Sequence, residues 1–159
     1  MGMTNEPKPT RQPSGSYAGG LIGALGAGLS VLVFDFGGWE YRVDYAGTTL
    51  ERWGSFGMFD GVLFFVLLAP VVVAAGYVGF VSYRQLARQG LGAVHLRNAL
   101  WVAAGALVVL VVYSLVFEAR MAADENDDWW LDSGFYGGAF GFAAAGVSLF
   151  AARRAGLAG

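Results

Sequence analysis

Polar and apolar residues are segregated into long blocks along this chain, and the longest uninterrupted apolar block governs how the rest is read. Residues 98–117, NALWVAAGALVVLVVYSLVF, carry no charged side chain between Arg97 and Glu118. At about 1.5 Å per residue, roughly 20 helical residues reach across a hydrocarbon core of about 30 Å. A buried soluble helix of that length would show a polar stripe, and here only Asn98, Tyr113 and Ser114 break the run. Residues 17–36, 58–83 and 134–152 repeat the pattern. The predicted fold is therefore an all-α membrane protein, a four-transmembrane-helix bundle over 17–154 with short tails at 1–16 and 155–159.

The connections add detail. Residues 1–16 hold three of the four prolines and little apolar periodicity, which predicts a disordered tail. A signal peptide is the competing reading, since Lys8 and Arg11 precede an apolar run. That run is long for such a segment, and no small-residue cleavage motif closes it. Glu6 stands where N-myristoylation needs Ser or Thr. Between the first two spans, WEYRVDY and TTLERWG read as the arms of a β-hairpin around Ala46-Gly47, with Tyr41, Val43 and Tyr45 alternating with Arg42 and Asp44. An isolated ribbon is marginally stable, so its aromatic face is expected on the bundle or on lipid headgroups. Pro70 predicts a kink near residues 66–70. Arg84, Gln85, Arg88 and Gln89 begin a polar turn that His95 and Arg97 close.

Small residues recur four apart in the first and fourth spans, at Gly19 and Gly23, at Ala24 and Gly28, and at Gly137, Gly141 and Ala145. Such faces let helix backbones approach closely in lipid, so the first and fourth helices are expected to touch. The competing reading is that lipid tolerates glycine because a spanning helix has no other way to satisfy its backbone. The chain also reads as two successive helical hairpins, without the self-similarity of a true repeat.

Charge then assigns sides. Alternating the spans gathers Lys8, Arg11, Arg84, Arg88, Arg97, Arg153 and Arg154 with Glu6 on one side, a net +6. The other side has Arg42, Arg52 and Arg120 among eleven acidic residues, a net −8. Basic flanks stay cytoplasmic, which predicts a multi-pass protein of the cell membrane with both termini inside and both long loops outside. Composition agrees, with 56% hydrophobic residues and 14% charged and a mean hydropathy of +0.52. No cysteine is present, which excludes disulfides, thiolate metal sites and dithiol chemistry.

Few residues offer chemistry. Asp124, Asn126, Asp128 and Asp132 fall at positions one, three, five and nine of a calcium loop, but Trp129 and Phe135 stand where glycine and a bidentate glutamate belong. They form either a weak divalent-cation site or a solvated acidic loop. Asp35, Asp60 and Glu118 lie at the outer ends of apolar segments, where carboxylates mark an ion path or reach the headgroups. His95, the single histidine, has only Glu6 as a same-side acid, so neither a catalytic triad nor haem ligation within one chain is expected. Trp39, Trp53, Trp129 and Trp130 suit the outer membrane boundary and Trp101 the inner one. No phosphate-binding loop and no nucleic-acid surface is visible.

In outline, four spans with cytoplasmic ends and a stranded first outer loop, the chain resembles claudin-like proteins. Its loop is short and the paired cysteines of that pattern are absent, and function does not follow from such a likeness. The expected function is that of a non-catalytic accessory or scaffold protein, without cofactors, packing in the bilayer as a homo-oligomer or with a larger membrane partner. The alternative is a small cation transporter or channel using Asp35, Asp60 and Glu118. An intramembrane enzyme lacks a same-side nucleophile and base.

Overall fold

The computed structural model describes residues 14–58, 61–89, 91–121 and 127–157. In chain order these form α1 (Ser14–Val33), β1 (Gly37–Tyr45), β2 (Thr48–Phe56), α2 (Val62–Leu86), α3 (Ala93–Met121), β3 (Asp127–Leu131) and α4 (Ser133–Leu157). Each of the four helices is long and apolar enough to cross a membrane.

Helix ends depart from the apolar runs, because hydropathy marks what lipid would solvate whereas capping decides where a helix stops. α1 begins at Ser14, inside the expected tail, and ends at Val33, so Phe34, Asp35 and Phe36 leave the helix. α2 starts at Val62 rather than 58 and passes through Pro70 as one helix. It stops in a Schellman motif: the Gln89 N–H donates to the Arg84 carbonyl at 3.0 Å and the Arg88 N–H to the Gln85 carbonyl at 3.1 Å. Arg88 holds the left-handed position at φ 56°. His95 and Arg97, expected in a connecting turn, lie in the opening residues of α3. Arg153 and Arg154 do not stop α4, which runs on to Leu157 through most of the expected tail.

The helices form a ring in which α1 packs on α4 and α2, while α3 packs on the other sides of both. The α1–α4 seam is made of small residues. A Cβ placed on Gly23 would meet the Ala145 nitrogen and the Gly141 carbonyl oxygen, each at 2.7 Å. Gly19 abuts Ser148 and Gly137 abuts Ser30. As positions advance along α1 they retreat along α4, so the pair is antiparallel. The expected contact between first and fourth helices is therefore present. Gly28 faces Ala75 of α2 instead, where a Cβ placed on the glycine would stand 3.1 Å from the Ala75 Cβ.

The core follows from this closeness. Ala24, Ala27, Ala99, Ala103 and Ala145 are buried together with Leu68, Leu110, Phe142 and Leu149. Small residues set the spacing and the larger ones fill what remains.

At one end sits a sheet larger than expected. β1 and β2 pair antiparallel from Gly37 opposite Phe56 to Tyr45 opposite Thr48, with Ala46 and Gly47 both at positive φ, 52° and 81°. That is the two-residue hairpin geometry whose twist suits flanking strands. The other edge of β1 accepts β3, with Gly38 opposite Trp130 and Trp39 opposite Trp129, giving the order β2-β1-β3. The acidic stretch is thus an extended strand from Asp127 to Leu131, where a loop was expected.

Candidate functional site

The bundle has two chemically distinct ends. At the sheet end, Asp35 is exposed in the turn between α1 and β1, and its carbonyl accepts the Gly134 N–H at 2.9 Å. The Phe36 carbonyl accepts the Asp132 N–H at 3.0 Å, so the start of α4 is stitched to the end of α1. Asp132 precedes α4: its Oδ1 accepts the Ser133 N–H at 2.6 Å and its carbonyl accepts the Phe135 N–H at 3.0 Å. Glu118 belongs to the last turn of α3. Asp60, Asp124 and Asn126 lie outside the described residues.

For the proposed cation loop the strand has a geometric consequence. Asp128 of β3 stands opposite Glu40 of β1, and an extended backbone at about 3.3 Å per residue sets it roughly 10 Å along the chain from the strand's last residue, Leu131, with Asp132 beyond it. Among the described residues no group of three His, Cys, Asp or Glu side chains converges as a metal site.

Aromatic residues close the bundle beneath the sheet. Phe36 is fully buried and meets Tyr113 and Phe135 edge to face, with ring centroids 5.1 Å and 5.6 Å apart. Trp130 lies over Gly38, whose added Cβ would come within 2.5 Å to 2.8 Å of the indole. Glycine at 38 is what lets the ring lie on the strand. On β1 and β2, Arg42 pairs with Glu40 at 3.1 Å and approaches Glu51 at 3.8 Å.

The opposite end is basic. A cavity of about 410 Å³ opens there between all four helices, lined by Tyr17 of α1, Gln85 of α2, Leu91, Val94 and Arg97 at the start of α3, and Arg153 of α4. Gln85 Nε2 donates to the Leu91 carbonyl at 2.6 Å and so holds the α2–α3 turn at the cavity's edge. Among the described residues every carboxylate belongs to the sheet end, and no arginine of the basic end forms an ion pair. Arg84 and Arg154 lie over the rings of Phe80 and Phe150, at 5.8 Å and 4.6 Å, as cations do when their stems follow an apolar surface. His95 is exposed on the first turn of α3.

Of the residues singled out from sequence, Gly19, Gly23, Gly137 and Gly141 come together in one seam, and Gly28 serves a neighbouring one. The cavity was missed, because Arg97 and Arg153 read as stops flanking separate spans. For Trp130 the sequence offers a boundary anchor or a ligand-stacking platform; the Gly37-Gly38 doublet is the signal for its packing on the strand. No family model matches this chain, and no curated protein or solved structure matches it either.

Proposed function

We propose that this chain is a non-catalytic integral membrane protein, an accessory or scaffold subunit of the cell membrane with both termini and the basic cavity on the cytoplasmic side. The observation that carries this reading is the inversion of its surface. Ser82, whose hydroxyl donates to the Val78 carbonyl at 2.8 Å, is the one polar side chain buried among the described residues. Large apolar side chains point outward instead, with Trp101 72% exposed on α3 and Phe140 73% on α4. In water so extensive an apolar exterior would drive association; in lipid it is already solvated. An interior closed by glycine and alanine offers no string of polar groups along which an ion or a substrate would move.

The small-residue faces are consumed within the chain, so a partner would meet the outward apolar surface or the sheet. The sidedness follows from the net +6 and −8 at the two ends. Native mass spectrometry of the chain extracted from its own membrane in mild detergent tests the role. A homo-oligomer or a co-purifying membrane protein is the expected species. A strict monomer with nothing attached would overturn it.

A further inference from the structure

We propose that the cavity at the basic end binds the phosphate of an anionic membrane lipid, with Arg97 and Arg153 as its counter-charges. The proposal rests on the membrane reading above, and gives the cytoplasmic face a ligand that the reading itself does not require.

Three features of the cavity converge on that ligand. Arg97 and Arg153 come from different helices, line the same space, and have no carboxylate partner among the described residues. Ala93 and Val94, the first residues of α3, line it as well, and N–H groups at that position have no acceptor within their own helix. The helix dipole at this end disfavours the Arg97 cation alone and favours an anion beside it. An anion in the cavity would answer both the two arginines and the positive end of the α3 dipole.

The remaining wall selects a lipid over a free ion. Tyr17, Leu91 and Val94 give an apolar side, and about 410 Å³ exceeds what a single phosphate ion needs but suits a glycerophosphate headgroup with the start of its acyl chains. Gln85, already fixed by its bond to Leu91, keeps a side-chain carbonyl at the rim for a headgroup hydroxyl. Arg84 and Arg154 lie over exposed aromatic rings and would hold the surrounding headgroup layer.

The test is native mass spectrometry and thermal unfolding of the full chain in mild detergent, with added phosphatidylglycerol, phosphatidylcholine or inorganic phosphate. Phosphatidylglycerol is expected to be retained as a single bound molecule, about tenfold over phosphatidylcholine, and to raise Tm where phosphatidylcholine does not. The Arg97→Gln, Arg153→Gln double variant should lose that preference, while Arg88→Gln, outside the cavity, should keep it. Equal retention of both lipids by the wild-type chain, or a preference unchanged in the double variant, would overturn the proposal; so would a Tm rise with millimolar phosphate equal to that with lipid. A chain that stays monodisperse without detergent would instead defeat the membrane reading, an outcome recognisable before any lipid is added.

Discussion

Gly23 and Gly141 exclude a side chain from each other reciprocally. A Cβ on Gly23 would sit 2.7 Å from the Gly141 carbonyl oxygen, and one on Gly141 would sit 2.6 Å from the Gly23 carbonyl oxygen. The obstacle on each side is backbone, which cannot rotate away. Gly23→Ala or Gly141→Ala should therefore destabilise the chain by about 1–3 kcal/mol, as overpacking does. Gly26, on α1 with nothing within 4 Å of an added Cβ, is the control. Gly26→Ala should be neutral or stabilising by up to about 1 kcal/mol. Thermal unfolding in detergent reads the difference.

This seam was legible in the sequence only in part. The four helices were legible because lipid-length apolar runs are long and strongly patterned, and the hairpin because Tyr41, Val43 and Tyr45 alternate with charges. β3 was not, since DDWWL has no alternation and becomes a strand only through the vacant edge of β1. Four-residue spacing identified Gly19, Gly23, Gly137 and Gly141. It could not decide between neighbours in a doublet: Gly20 also packs tightly, against Ser82 and Leu149, and Gly138 against Val31. Rotation of a helix about its axis is set by its partners.

Among the described residues two that are not glycine hold left-handed backbone, Ala46 in the hairpin turn and Arg88 after α2. Glycine and asparagine adopt that conformation at lower cost. Ala46→Asn and Arg88→Gly should each stabilise by about 0.5–1 kcal/mol, whereas Ala46→Val should destabilise by a similar amount. Chemical denaturation with a probe near each turn would show it.

Trp130 covers Gly38 across the β1–β3 pair, a side-chain contact that adds to the backbone ladder between the two strands. Trp130→Ala should cost about 1 kcal/mol, felt locally. Hydrogen exchange is expected to quicken at the β1–β3 amides and stay unchanged in the middle of α1 and α4. Equal acceleration throughout would show that the sheet and helices unfold as one unit.

Asp35 is exposed at the sheet end, and the helix interior beyond it is apolar. Proteoliposomes containing the chain should pass no more sodium or potassium than empty ones, and Asp35→Asn with Asp60→Asn should change nothing. A protein-dependent flux abolished by those substitutions would favour the transporter reading over the accessory one.

In the proposed arrangement four helices lie in lipid with the basic end inside and the sheet outside. Since the chain contains no cysteine, single substitutions report position without background. Ser55→Cys on β2, Gln89→Cys beyond α2 and Gly156→Cys on α4 would be exposed in turn to a membrane-impermeant maleimide on intact cells. Labelling is expected at 55 at once, and at 89 and 156 only after the membrane is opened. Labelling of 89 or 156 in intact cells, or on opposite schedules from each other, would contradict the proposed arrangement.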